Sequence, residues 1–215
     1  MDEFIFILEL ISTAAYAVLG AMKAIKKEMD MFGTVVMGVT TAIGGGVIRD
    51  IVIGKTPPTA FVSPIFTAVA AVFSGIVLIT HIRKRISKNS AAYDKILFIL
   101  DTVGLGAFTV TGVGTVIDSG NYNMLLIIFV GVITGVGGGV MRDIFAGDIP
   151  YIFVKHIYAL ASIAGALVCA LLWRVADKNI AVCVGMATVI IIRCFSAHYK
   201  WNVPVKKIDT VSEDR

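Results

Sequence analysis

The chain has 215 residues, of which 57% are hydrophobic and only 16% are charged. A soluble domain of this length carries about 25% charged residues and cannot hide so large an apolar surplus in one core. This composition, with a mean hydropathy of +0.88, excludes a soluble enzyme, a disordered chain and a secreted disulfide scaffold. The net charge of +4 comes from Lys and Arg between apolar blocks, which points to membrane topology and not to nucleic-acid binding. We therefore predict an integral membrane protein.

The sequence offers no recognisable set of residues for catalysis or for holding a metal. Cys169, Cys183 and Cys194 lie in apolar stretches and lack the spacing of metal ligands, so we interpret them as small core hydrophobes. Neither a nucleophile with its base nor a paired acid and base can be identified. We expect no enzyme, no cofactor and no structural metal site.

Seven apolar stretches are long enough to cross a bilayer, which takes about 20 residues per helix. In chain order we predict spans at 4–22, 32–54, 60–82, 96–117, 124–147, 152–173 and 179–199. Glycines interrupt the second and fifth spans, so we expect these two to be the least regular helices. The polar links between spans are too short for a soluble domain.

The basic residues between the spans are distributed unevenly. Seven spans put the termini on opposite sides, with twelve Lys and Arg on the side of the C-terminus and three on the other: Lys55, Arg174 and Lys178. Because basic loops stay in the cytoplasm, we expect the N-terminus outside and the C-terminus inside the cell.

The chain contains an internal repeat. Residues 38–57 and 131–150 share twelve of twenty positions at a constant offset of 93, including the pattern Gly-Gly-Gly-Val-x-Arg-Asp. Each repeat holds three spans, so the second must enter the membrane from the opposite face. We predict an all-α fold of two inverted three-helix repeats, at 1–90 and 91–175, followed by a seventh helix and cytoplasmic tail at 176–215. Such folds place their substrate path near the midplane, at interrupted helices.

The two glycine triplets are the candidate path. Three glycines bend a helix and free backbone carbonyls, which can replace part of the hydration shell of a cation. The alternative, which does not exclude the first, is that the glycines only allow close helix contact. The predicted path residues are Gly44, Gly45, Gly46, Gly137, Gly138, Gly139, Thr41, Thr134, Asp50 and Asp143.

Charged residues inside the spans need partners, because an unpaired charge in the bilayer costs about 2.5–3.5 kcal/mol. Matching depths predict that Glu9 pairs with Arg49. In the second repeat they predict that Asp101 pairs with Arg142. Adjacent side chains on a helix point about 100° apart, so each arginine should not simply neutralise the aspartate after it, which stays available to a polar cavity. These pairs either serve the path or only lock the helix crossing, and Arg193 either snorkels or lines an inner vestibule.

The double motif on the second and fifth of seven spans closely resembles the prokaryotic TRIC (trimeric intracellular cation) channels, a family also labelled glycine-transporter-like. The resemblance covers residues 4–200. It implies a homotrimer with one pore per protomer, lined by bent second and fifth helices and permeable to potassium or sodium, which can bind in the pore. Animal members carry a Lys-Glu-Val motif that this chain lacks, so phosphoinositide binding is not implied.

Two functions of different class remain open from the sequence. In the first, monovalent cations pass through the path as in a channel. In the second, the same midplane site binds a small zwitterion such as glycine in a carrier with alternating access. A purely structural membrane protein would leave the duplicated charges without a reason. We expect a multi-pass protein of a bacterial or archaeal inner membrane, whose partners are the lipid bilayer and further copies of itself, with no nucleic acid or soluble protein.

Overall fold

The computed structural model describes residues 3–84, 91–154 and 156–199, and this part of the chain is all-helical. Its nine helices are α1 (Glu3–Lys26), α2 (Met31–Val52), α3 (Thr59–Val62), α4 (Pro64–Lys84), α5 (Ala91–Asp118), α6 (Met124–Phe145), α7 (Tyr151–Val154), α8 (His156–Leu172) and α9 (Lys178–His198). Five of them, α1, α2, α5, α6 and α9, are long and apolar enough to cross a membrane. The apolar parts of α4 and α8 are shorter, at Pro64–Thr80 and Ile157–Leu172. The chain is therefore a multi-pass membrane protein.

The central helices α2 and α6 begin and end in similar ways. Asp30 and Asn123 cap their first turns by accepting hydrogen bonds from backbone N–H groups. Each helix ends in a glycine with positive φ, Gly54 at +75° and Gly147 at +69°. Only glycine adopts this conformation without strain, and the following residue returns a backbone hydrogen bond to the helix in a Schellman motif. Gly54 and Gly147, which are equivalent in the two repeats, thus end α2 and α6 in the same way.

The predicted third span is divided in the structure. A four-residue helix, α3, precedes α4, because Pro64 disfavours helical backbone at the residue before it and Ser63 is extended with φ −114° and ψ 102°. α7 and α8 are separated only by residue 155, which lies outside the described residues. The predicted span 60–82 is therefore wrong as a single helix, whereas the continuity of the predicted span 152–173 stays a prediction.

The glycine triplets do not interrupt their helices. Both α2 and α6 are continuous α-helix from first to last residue, so the expectation of broken second and fifth helices is wrong. A glycine costs only about 1 kcal/mol in a helix, and tight packing on a neighbour outweighs that cost.

The helices pack in two similar groups. α1, α2 and α4 contact one another, as do α5, α6 and α8, and the groups meet where α2 contacts α6 and α1 contacts α5. α9 packs on α5 and α8, which both belong to the second group. A valine-rich core lies between α5, α6, α8 and α9. Cys169 is buried there, whereas Cys183 and Cys194 are exposed on the outer face of α9, which corrects their assignment to the core.

Candidate functional site

The two glycine triplets lie where α2 and α6 touch. A Cβ atom on Gly45 would collide with the backbone carbonyl oxygen of Thr134, and one on Gly138 would collide with that of Thr41. A Cβ on Gly137 would come within 3.1 Å of the Cα of Gly45. The backbones of the two helices are therefore in direct contact, and any side chain at these positions would push them apart.

The flanking threonines are buried and bond to their own helices. The Thr41 hydroxyl donates to the carbonyl oxygen of Met37 at 2.7 Å, and that of Thr134 to the carbonyl oxygen of Val130 at 2.6 Å. Both side chains are almost completely covered. They stand next to the crossing in equivalent positions, with one hydroxyl from each repeat.

A tyrosine bridges the crossing from α1. The Tyr16 hydroxyl donates to the carbonyl oxygen of Gly135 at 2.9 Å, and its ring packs edge-on against Phe108 with centroids 5.1 Å apart. Phe108 is the residue at the equivalent place of the second repeat, and it has no hydroxyl. Reasoning from the sequence missed Tyr16, although the Tyr-for-Phe difference between the aligned repeats was a visible signal.

The first repeat buries one cation between two carboxylates. Arg49 Nη1 lies 2.8 Å from Glu9 Oε1, and Arg49 Nε donates to Asp50 Oδ1 at 2.8 Å. The second oxygen of Asp50 accepts the backbone N–H of Thr59, at the start of α3, at 2.7 Å. All three charged side chains are at least 93% covered. We call Glu9, Arg49 and Asp50 the first cluster.

The second repeat has the same arrangement with one added cation. Arg142 Nη1 lies 3.6 Å from Asp101 Oδ1, and Arg142 Nε donates to Asp143 Oδ1 at 3.0 Å. Asp143 also accepts the backbone N–H of Tyr151, at the start of α7, at 3.1 Å. Arg193, from α9, lies 2.6 Å from the other oxygen of Asp101. We call Asp101, Arg142, Asp143 and Arg193 the second cluster.

Asp50 and Asp143 are not available to a cavity as expected. Each is almost fully covered, accepts a hydrogen bond from the arginine before it and accepts the backbone N–H of the first residue of the next helix. The argument from helix directions failed because the long arginine side chain bends back to the neighbouring carboxylate, even though the two Cβ atoms diverge.

A cavity of about 710 Å³ opens beside the second cluster. It lies among the last turns of α1 and α9, the first turns of α5 and α8, and the end of α6. Of the predicted site residues, only Asp101 and Arg142 line this cavity, together with Tyr158 and Arg193. The Tyr158 hydroxyl donates to Asp101 at 3.3 Å. Neither Tyr158 nor the pairing of Arg193 was predicted, because both come from spans outside the repeated motif.

A partly exposed ion-pair network lies beside this cavity, which Lys23 lines. Lys23 and Lys27, at the end of α1, each lie 2.5 Å from the carboxylate of Asp148, in the turn after α6. Lys23 also lies 3.9 Å from Asp143. Hydrogen bonds from Lys23 and then Lys27 lower the pKa of Asp148 to about 2. This network ties the two repeats together at one membrane face.

Comparison with known proteins places this arrangement in a family. A family model described as glycine transporter matches the chain twice, over residues 6–82 and 98–174. The UPF0126 inner membrane protein YadS of Escherichia coli K12 is 34% identical over 207 residues, which cover 95% of this chain and 97% of that protein. YvgT of Bacillus subtilis is 29% identical over 198 residues, with 92% and 94% covered.

Solved structures of TRIC channels have the same fold. A chain from a study of conductance through TRIC cation channels is 36% identical, with a TM-score of 0.83 and coverage of 94% and 97% of the two chains. The TRIC orthologue of Rhodobacter sphaeroides is 29% identical, with a TM-score of 0.85 and coverage of 93% and 100%. With both repeats matched and the fold shared over nearly its whole length, the chain belongs to the prokaryotic TRIC family, whose sequence model is described as glycine transporter.

Proposed function

We propose that this protein is a channel for monovalent cations, with potassium among its permeant ions. The observation that carries the proposal is its likeness, in fold and in 36% of residues over 94% of the chain, to a TRIC cation channel. The buried charge clusters support it, because charged side chains within a membrane usually mark an ion pathway.

The proposed pathway begins in the 710 Å³ cavity, passes the second cluster and reaches the crossing of α2 and α6. It leaves past the first cluster on the other side. Backbone contact at the crossing leaves no room for a cation, so conduction requires α2 and α6 to separate there. The proposed lining is then Gly44, Gly45, Gly46, Gly137, Gly138, Gly139, Thr41 and Thr134, with Asp50 and Asp143 fixed behind it as structural carboxylates.

The proposed architecture is a homotrimer with one pore per protomer. We propose seven spans, with inverted repeats at 1–90 and 91–175 and a seventh helix and tail at 176–215, in a prokaryotic inner membrane. The excess of basic residues on the side of the C-terminus supports a cytoplasmic C-terminus. The family model supports the repeats by matching each of them once, and the Rhodobacter sphaeroides relative is described as trimeric.

Single-channel recording in planar bilayers under a potassium gradient tests the proposal. We expect unitary currents that reverse near the potassium equilibrium potential. Thr41→Val should lower the unitary conductance, because it removes a hydroxyl beside the crossing. Thr188→Val is the matched control. The Thr188 hydroxyl also donates to a carbonyl oxygen four residues earlier in its helix, that of Val184, at 2.8 Å, but it lies on the exposed side of α9.

The carrier alternative makes the opposite prediction. Silent bilayers, together with saturable uptake of labelled glycine into liposomes that hold the same protein, would contradict the channel and reduce the likeness to one of fold. Equal conductance in both threonine variants would contradict the proposed lining.

A further inference from the structure

The two repeats differ in how they arrange an equivalent pair of aromatic rings. In the first repeat Phe6 and Phe66 contact each other directly, with centroids 5.7 Å apart. The family model aligns residues 6–82 with 98–174, so outside the glycine motif the equivalent residue lies 92 positions later. The residues equivalent to Phe6 and Phe66 are therefore Phe98 and Tyr158. Here a guanidinium group contacts both rings, with Cζ of Arg193 5.1 Å from the centroid of Phe98 and 4.6 Å from that of Tyr158.

The surroundings of this guanidinium have the chemistry of a cation-binding site. Arg193 Nη2 lies 2.6 Å from Asp101, and Nε donates to the Thr102 hydroxyl at 3.3 Å. Two aromatic faces, a carboxylate and a hydroxyl are groups that hold a desolvated cation. The site borders the cavity, so a solute that enters the cavity can reach it.

The charge balance defines the ligand. Without Arg193 the second cluster holds Asp101, Arg142 and Asp143, with a net charge of −1, the same as the complete first cluster. With Arg193 the four residues of the second cluster carry no net charge, and a single monovalent cation in place of the guanidinium of α9 gives the same total. Arg193 belongs to α9, which has no counterpart in the first repeat, so here the cation is a side chain of the protein itself.

We propose that Phe98, Asp101 and Tyr158 form a site for a small planar monovalent cation of the guanidinium class, and that Arg193 occupies this site as a tethered ligand. In the channel, which rests on the function proposed above, the tethered group keeps Asp101 from permeant cations and restricts flow through the cavity. Replacing Arg193 with a small neutral residue exposes the site to free guanidinium.

Binding is tested without reference to transport. Purified full-length Arg193→Ala is heated in detergent with increasing millimolar guanidinium chloride, against equal concentrations of sodium chloride. We expect its Tm to rise with the logarithm of guanidinium concentration, as ligand linkage requires. The wild type and Arg174→Ala, which removes an exposed arginine between α8 and α9, should show no such rise. The double variant Arg193→Ala with Asp101→Asn should lose it.

Several results would overturn the proposal. An unchanged Tm for folded Arg193→Ala would do so, and so would the same rise in every variant, which indicates a general salt effect. Arg193→Gln, which fills more of the space, serves if the alanine variant does not fold. If neither folds alone, purification in millimolar guanidinium decides, because recovery supports the site and failure to recover contradicts it.

Potassium flux into liposomes tests the restriction separately. Arg193→Ala should conduct several-fold more than the wild type, and millimolar guanidinium should return its flux to the wild-type level. A variant flux equal to that of the wild type contradicts the restriction. If every variant is silent, the channel function fails, whereas the Tm measurement still decides whether the site binds guanidinium.

Discussion

The two charge clusters are built from the same motif but balanced differently. In the first, Arg49 is a lone cation between Glu9 and Asp50. In the second, Arg193 adds a second cation at 2.6 Å from Asp101, and Arg142 is 3.6 Å away. The internal repeat thus sets the local geometry of each cluster, whereas α9, which lies outside both copies of the repeat, changes the net charge of the second cluster.

The repeats are most alike where the backbone imposes the structure. Both triplets make the same close contact, and both α2 and α6 end in a Schellman turn. In each, the aspartate near the end of the helix accepts the first backbone N–H of the next helix. They differ in side chains that reach across from other helices, such as Tyr16 and Arg193. Because these side chains distinguish the two sides of the crossing, we infer that they help to give the proposed path its direction.

The largest expected effect is loss of the lone cation in the first cluster. Arg49→Gln leaves Glu9 and Asp50 buried together, and the described residues offer neither of them a second cation. Breaking a buried pair costs about 3–5 kcal/mol. Arg142→Gln should cost clearly less, because Asp101 keeps Arg193.

Unfolding of the purified protein in detergent, followed by circular dichroism, measures both variants. Arg174→Gln, in an exposed position, is the control and should match the wild type. Equal losses for Arg49→Gln and Arg142→Gln would show that Arg193 does not share the charge of Asp101.

The next effect concerns the crossing, where the repeats should respond alike. Gly45→Ala and Gly138→Ala each drive a methyl group into a backbone carbonyl, which overpacking predicts will cost about 1–3 kcal/mol. Gly46→Ala is the matched control, because the nearest atom to its new Cβ is Arg49 Nη2 at 3.8 Å. Thermal unfolding in detergent compares the three. If Gly46→Ala is as destabilising as the others, the close backbone contact between α2 and α6 does not explain why glycine is needed at Gly45 and Gly138.

Much of the fold follows from composition and from the repeat. Apolar length locates the membrane helices, and equal depth was enough to place Glu9 opposite Arg49, whose atoms lie 2.8 Å apart in the structure. What the repeat could not give was any contact made by a part of the chain outside it. Arg193 reaches Asp101 because α9 packs on α5, and no periodicity in the sequence specifies that packing.

Other errors came from treating glycine and proline too simply. The triplets were expected to break α2 and α6, yet their missing side chains are used for contact within continuous helices. Ser63-Pro64 was a readable break within an apolar stretch, and the rule of 20 apolar residues ignored it. A hydropathy window averages the apolar character of about 20 residues, so it does not detect a local break in the helix such as the one at Ser63-Pro64.

A smaller effect should follow from removing the hydroxyl that only the first repeat has. Tyr16→Phe leaves the carbonyl of Gly135 without its donor at 2.9 Å, and hydrogen bonds within membrane helices are worth about 0.6 kcal/mol on average. Thermal unfolding should show this modest loss, with exposed Tyr122→Phe unchanged. If Tyr16→Phe also matches the wild type, the rings of Tyr16 and Phe108 are equivalent and the hydroxyl does not distinguish the repeats.

The smallest effect concerns Asp148, which pairs with Lys23 beside the cavity. The equivalent residue of the first repeat is Lys55, which carries the opposite charge. Folding lowers the pKa of Asp148 from 3.8 to about 2, so its carboxylate stabilises the fold above the ordinary value and loses this contribution as the pH falls towards 2. A third of the side chain is exposed, so solvent limits the gain to about 1 kcal/mol or less.

Asp148→Asn should therefore lower the Tm slightly at pH 7, and the difference from the wild type should shrink when both are measured near pH 3. Lys55→Gln, its counterpart in the first repeat, should not change the Tm, and a pH-independent loss in Asp148→Asn would mean that the side chain acts through packing and not through its charge.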